Sequence, residues 1–225
     1  MQIPTTLLSM VDASVGGKTG VDLPEGKNLV GAFKQPEMVV VDPEVLSTLP
    51  EVEFRSGLAE VVKHGIIDSL ELFTALEDGK FELTWMLYEA INVKVRVVQE
   101  DPFERGRRAV LNLGHTFGHA FEWLSNYQIR HGEAVAMGIV CASRFATTLG
   151  DCPPETTDRI LALLKHLNLA DTPPSYPATD VWNAMLKDKK RQGDTVPLIL
   201  PRAIGDVDVF KDIPKTQLID FLETL

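Results

Sequence analysis

From about residue 50 onward, apolar residues recur at the three- and four-residue spacing of an amphipathic helix. The repeat covers 51–67, 70–76, 82–98, 115–124, 133–149, 155–167 and 179–186, which predicts a helix over each. Pro153-Pro154-Glu155 and Thr179-Asp180 are the residue types that start helices. The pattern then changes. Segments 195–200 and 207–210 flank a turn-like stretch, 201–206, that contains Gly205. This predicts a late pair of strands, with Pro197 confining the first to an edge. Ile213-Pro214-Lys215 leads into a last helix. The first 45 residues read instead as loops and short strands. Residues 15–20 are Gly-rich, and 38–42 form a short apolar run of the kind a buried strand shows, closed by Pro43.

The layout is lopsided, because a parallel sheet needs several strands joined by crossover helices and residues 1–45 offer one or two. The expected fold class is therefore α/β plus α. Residues 1–50 are read as the tail of an α/β domain and residues 51–225 as a mainly helical domain. A chain of 225 residues is long enough for a sizeable buried core. A formal net charge of −10 argues against wrapping nucleic acid, although a local Lys and Arg cluster can still hold a small anion. Cys141 and Cys152 lack metal-like spacing and read as two reduced thiols. The start has no basic or long apolar segment, and 134–142 is far too short for a membrane span, so the expected location is the cytoplasm.

Three segments carry candidate chemistry. In Asn112-Leu113-Gly114-His115-Thr116-Phe117-Gly118-His119, the two histidines lie four apart and share a helix face. His131 follows in His131-Gly132-Glu133. Two imidazoles plus a carboxylate would make a three-ligand metal site with an open position. Periodicity leaves open which two histidines are ligands, and a polar helix face has the same spacing. In Gly57-Leu58-Ala59-Glu60-Val61-Val62-Lys63, Glu60 lies in an apolar helical run with Lys63 one turn on. That pattern fits a buried, partnered carboxylate or a surface ion pair. Asp12-Ala13-Ser14-Val15-Gly16-Gly17-Lys18-Thr19-Gly20, with Gly26-Lys27-Asn28, is a Gly-rich stretch that could hold a phosphate through backbone N–H groups and ammonium charge. It is not a P-loop, since Asp12 stands where that pattern needs glycine.

Taken in order, Pro4-Thr5-Thr6-Leu7-Leu8, the Asp12–Gly20 segment, 26–33, 57–63, 111–120 and 131–136 closely resemble the 3-dehydroquinate synthase family, within the sugar-phosphate cyclase superfamily. The resemblance runs from Pro4 to about Ile204. It implies an NAD-binding α/β domain followed by a helical metal-binding domain, and NAD plus one divalent metal, Zn or Co, as cofactors. Glu60, His115 and His131 correspond to the metal ligands. His119, Lys18 and Asn28 correspond to groups near the substrate phosphate. Lys63, Lys94, Glu104, Arg108 and Asn112 correspond to groups around the substrate carboxylate and hydroxyls. Lys189 or Lys190 corresponds to a late substrate-binding lysine. Thr5, Thr6, Asp12, Lys18, Lys27 and Thr48 correspond to NAD contacts.

The implied reaction converts 3-deoxy-D-arabino-heptulosonate 7-phosphate to 3-dehydroquinate and phosphate, a carbon–oxygen lyase step of the shikimate pathway. The implied assembly is a homodimer. Family members carry a longer N-terminal domain with a Gly-rich NAD loop, which this sequence lacks. The expectation is that this chain alone binds NAD weakly and has little activity. The alternatives are another sugar-phosphate cyclase, whose substrate lacks the carboxylate, and an inactive fragment that needs a partner chain.

Overall fold

The computed structural model describes residues 1–23, 26–188 and 195–225, with the backbone alone described at 22, 23, 26–29 and 188. Helix α1 (Glu51–Asp68) is buried from Ser56 to Ile67 on all sides, so it forms the axis of the domain rather than a surface helix. Helices α2 (Leu70–Asp78), α3 (Leu83–Glu100), α4 (His115–Leu124), α5 (His131–Leu149), α6 (Pro154–His166) and α7 (Ala178–Asp188) follow. Of these, α2, α3 and α5 pack directly on α1, while α4 and α6 pack on α5 and α7 packs on α4. The break between α1 and α2 is set by Ser69, whose hydroxyl accepts from the Leu72 N–H and caps the new helix. Among the described residues no helix is long and apolar enough to cross a membrane.

The late strands are present as an antiparallel pair, β3 (Leu198–Ala203) and β4 (Asp206–Phe210), followed by α8 (Lys215–Leu222). The turn is tighter than the sequence suggests. Pro201 and Arg202 lie within β3, and Gly205 forms the turn while its N–H bonds the Ile66 carbonyl at the end of α1. A two-stranded sheet leaves an edge on each strand, which is where proline is tolerated.

The head of the chain departs from expectation in two ways. Lys18–Leu23 and Gly26–Phe33 pair as an antiparallel hairpin, β1 and β2, entered through Gly16 and Gly17 at φ +105° and +69°. The run 38–42 is not a buried strand. Among the described residues its only ladder contact is a parallel bridge between Val39 and Gln2, and Met38 and Val40 are exposed while Val39 and Val41 are half-buried. Apolar composition drives burial only where a neighbouring strand or helix covers both faces, and here one face is open to solvent.

The α4–α5 seam is built from glycine. A Cβ on Gly118 would lie 2.8 Å from the Ala134 carbonyl oxygen, and one on Gly138 would lie 2.8 Å from the Gly114 carbonyl carbon. At the start of α5, a Cβ on Gly132 would run into the Ser56 backbone of α1. These contacts let α1, α4 and α5 approach at backbone distance.

Candidate active site

Where α1, α4 and α5 converge, three side chains face one another. Glu60, in the middle of α1, is fully buried. Its Oε1 lies 3.6 Å from His115 Nε2 and 3.4 Å from His131 Nε2, and makes no hydrogen bond. His115 is the first residue of α4 and His131 the first of α5, so each helix starts at the site. Helix α5 begins two residues before the predicted 133, because Glu133 accepts from the Arg130 N–H and closes the first turn around His131. The other ring nitrogens are fixed. His115 Nδ1 meets the Leu113 carbonyl at 3.1 Å, and His131 Nδ1 meets Glu122 Oε1 at 3.2 Å. One ligand atom from each of Glu60, His115 and His131 falls within 4.8 Å of the others. His119 stacks edge-on against His115 with ring centres 5.3 Å apart.

Glu60 also pairs with Lys63, one turn on, and Lys63 is equally buried. The surface ion pair that spacing allowed is therefore not what forms. Burial pushes the Glu60 carboxyl up, but the Lys63 ammonium, followed by His131 and His115, outweighs it and holds the group well below its ordinary value. Burial and then Lys63 push His115 down to about 3, so that ring is neutral. Burial lowers His131 as well, but the Glu122 and Glu60 carboxylates beside it reverse the sign and raise it to about 9. A second, partly buried pair stands beside the first. Lys94 on α3 donates to Asp12 Oδ1 at 2.5 Å and to the Asp12 carbonyl at 2.6 Å. Asp12 lies on a single π-helical turn, Ser9–Ala13, that packs on α1 and α3.

The remaining predicted residues form a neighbouring group around a turn of 3-10 helix, Arg107–Asn112. Glu104 bridges Lys18 on β1 and Asn112, whose amide donates to Glu104 Oε1 at 3.0 Å. Arg108 is buried and donates to the Gly16 and Pro102 carbonyls at 2.7 Å each, pinning the hairpin entry to the helical body. Its Nε is buried without a partner. Among the described residues, Thr5, Thr6 and Thr48 join neither group by a hydrogen bond. Thr6 bonds Ser9, Thr48 bonds the Val45 carbonyl, and Thr5 is exposed. The side chains of Lys27 and Asn28, and all of Lys189 and Lys190, lie outside the described residues.

Sequence reasoning missed two buried polar groups. Glu122 lies between Phe121 and Trp123, three residues after His119, and this lone carboxylate in an apolar helical run was the available signal. His64 follows Lys63 in the apolar run of α1. It is fully buried, with both ring nitrogens lacking a hydrogen-bond partner.

This architecture is that of the sugar-phosphate cyclases. A 2-epi-5-epi-valiolone synthase from Streptomyces hygroscopicus subsp. jinggangensis 5008, solved with NAD+ and Zn2+ bound, superimposes with a TM-score of 0.88 at 29% identity, covering 99% of this chain and 64% of that one. A 2-deoxy-scyllo-inosose synthase solved with carbaglucose-6-phosphate, NAD+ and Co2+ gives 0.86 at 26% identity, covering 99% of this chain and 66% of that one. Within that class, the 3-dehydroquinate synthase N-terminal model matches residues 1–56 and the C-terminal model matches 57–191. The chain belongs to the 3-dehydroquinate synthase family. It is 48% identical over 221 residues to the 3-dehydroquinate synthase of Synechocystis sp., covering 93% of this chain and 61% of that protein. It is 44% identical to that of Mesorhizobium japonicum, covering 99% and 63%. The chain thus spans less than two thirds of the length of these relatives.

Proposed function

We propose that this chain supplies the metal-binding and most of the substrate-binding part of a 3-dehydroquinate synthase. The reaction would convert 3-deoxy-D-arabino-heptulosonate 7-phosphate to 3-dehydroquinate and phosphate, a lyase step of the shikimate pathway. The observation that carries this reading is Glu60 Oε1, a buried carboxylate oxygen with no hydrogen bond and two imidazole Nε2 atoms turned toward it. Lys63 pairs with the other carboxylate oxygen, which leaves Oε1, buried between two imidazoles, as the atom a further cation would meet. One carboxylate and two imidazoles make a three-ligand set that suits Zn2+ or Co2+. NAD and such a metal, when bound, would supply reversible hydride acceptance and polarisation of substrate oxygens.

The chain's own residues do the rest. Glu60, His115 and His131 would hold the metal. Lys63 and Lys94 keep the carboxylates beside them ionised and offer ammonium N–H groups to substrate oxygens. His119, Lys18 and Asn28 are assigned to the phosphate, and Arg108, Asn112, Glu104 and one of Lys189 and Lys190 to the carboxylate and hydroxyl end. Asp12, Thr5, Thr6, Lys18, Lys27 and Thr48 are assigned to NAD. The domain reading keeps residues 1–50 with the NAD-binding part and 51–225 with the metal-binding part. We read the complete enzyme as a cytoplasmic homodimer.

A second reading, a cyclase acting on a sugar phosphate without a carboxylate, is favoured by the two solved relatives, which carry other synthase names. The test is phosphate release from the heptulosonate phosphate, and from sedoheptulose 7-phosphate, with NAD and Co2+. It is run on this chain alone and on a chimera carrying it in the frame of the Synechocystis relative. The chimera is expected to release phosphate from the heptulosonate phosphate only, with Glu60→Gln abolishing it and the chain alone nearly inactive. Release from the other substrate alone would overturn the assignment.

A further inference from the structure

The two candidate imidazole ligands are oriented by different means. His115 Nδ1 leans on a backbone carbonyl, that of Leu113 at 3.1 Å. His131 Nδ1 leans on a carboxylate, Glu122 Oε1 at 3.2 Å. Glu122 is 2% exposed and lies seven residues after His115 on α4, two turns deeper into the domain. An imidazole that donates its Nδ1–H to a carboxylate is fixed in the tautomer that leaves Nε2 free, and the negative charge behind it makes that nitrogen a stronger electron donor. In this structure Nε2 is the atom that faces Glu60 Oε1 at 3.4 Å.

We infer that Glu122 is a positioning residue for the metal site. It fixes the His131 ring and its tautomer, and strengthens Nε2 as a ligand, without touching metal or substrate. The inference rests on the reading of Glu60, His115 and His131 as the metal ligands. A rival arrangement exists on the same residues, because His119, Glu122 and His131 also present ligand atoms within 4.8 Å of one another. That arrangement would use His131 Nδ1 as the ligand atom and make Glu122 a ligand of a second ion. The first arrangement is the better one. It uses both nitrogens of His131, and it answers the unmet oxygen of Glu60, which the second leaves buried and unbonded.

The experiment compares the metal-free chain with its Glu122→Gln and Glu122→Ala variants. Co2+ and Zn2+ affinity are measured by competition with a chromophoric chelator, with the Co2+ ligand-field spectrum, the metal stoichiometry and the thermal melt of each metal-free variant. Glu122→Gln keeps shape and an acceptor oxygen but removes the charge. We expect one equivalent of metal in the unmodified chain and about a 10- to 100-fold loss of affinity in Glu122→Ala. Glu122→Gln should show a smaller loss, a shifted Co2+ spectrum and a melt close to the parent. Unchanged affinity and spectrum in both variants would overturn the inference. So would two equivalents in the parent falling to one in Glu122→Ala, which would make Glu122 a ligand. If the parent binds no metal while folded, the underlying metal reading fails instead.

Discussion

Replacing Gly138 by alanine sets helix propensity against packing. On an isolated helix the change is favourable by about 1 kcal/mol. Here the new Cβ would sit 2.8 Å from the Gly114 carbonyl carbon and 3.0 Å from the Gly118 nitrogen, and closer still to the Gly114 oxygen. Ordinary carbon contacts begin near 3.5 Å, so α5 must retreat from α4 by roughly 1 Å. All three obstructing atoms are backbone, and no side chain can swing aside. Overpacking of this kind costs about 1–3 kcal/mol, which exceeds the propensity gain. A net loss of up to about 2 kcal/mol lowers the melting temperature by up to roughly 8 °C at this chain length.

The same displacement carries His131, two turns up the helix and about 10 Å along its axis, away from His115. Metal–nitrogen bonds tolerate about 0.2 Å, so metal affinity should fall by at least about tenfold. Gly150→Ala is the control. It sits at the C-terminal end of α5 at φ +79° with nothing within 4 Å of its Cβ position. It should cost about 1 kcal/mol through backbone strain and leave metal affinity unchanged. Calorimetric melts and Co2+ titration of both variants decide the matter. A Gly138→Ala protein that melts at or above the parent would refute the packing argument. One that melts lower but binds Co2+ as tightly would refute the claim that the seam sets the metal geometry.

Three further outcomes follow from the same interior. Burial, aided by Lys63, pushes His64 down to about 3 from 6.5, so its stability contribution is present above pH 6.5 and is lost as pH falls toward 3. The loss by pH 4.5 is about 3 kcal/mol, and denaturant unfolding of metal-free His64→Leu across that window should show a shallower pH dependence than the parent. Cys141 is buried and its thiol is raised to about 12, so it should react about a thousandfold more slowly than a free thiol in the native protein at pH 8. Cys152, raised by burial as well, should also be protected, and both should react fully in denaturant. Lys94→Met strands the Asp12 carboxylate beside Glu60 and should cost about 2 kcal/mol, since that carboxylate is 27% exposed. Adding Asp12→Asn should recover part of the loss in the same unfolding assay.

Helix α4 was legible to the residue, since His115–Leu124 is bounded by Gly114 on one side and polar residues on the other. The other helices are found within one to two residues of their predicted ends, because burial of one stripe leaves a periodic trace. Elements without that trace were not legible. The π-turn at Ser9–Ala13 and the 3-10 turn at Arg107–Asn112 are short and are held by tertiary partners, Lys94 on Asp12 and Asp101 on the Arg108 N–H. Residues 38–42 misled in the opposite direction, because apolar composition was present without a covering layer. At the site, spacing alone gave the His115–His119 pair, yet the structure turns His131 toward Glu60. That selection depends on the glycine seam, which brings the start of α5 against α1, and no periodicity encodes it.

The buried charges make a consistent set once Glu122 is included. Asp12, Glu60 and Glu122 place three carboxylates in or beside the core, and Lys63 and Lys94 answer two of them. In the metal-free protein His131 is the ring that touches two of these carboxylates and the one whose pKa rises, to about 9. Its proton therefore does electrostatically what a divalent cation between Glu60, His115 and His131 would do more completely. Metal and proton then compete for one position. His115 stays neutral although it also faces Glu60. Burial and then Lys63 outweigh the support that Glu60 gives, and its second nitrogen meets a carbonyl, not a carboxylate.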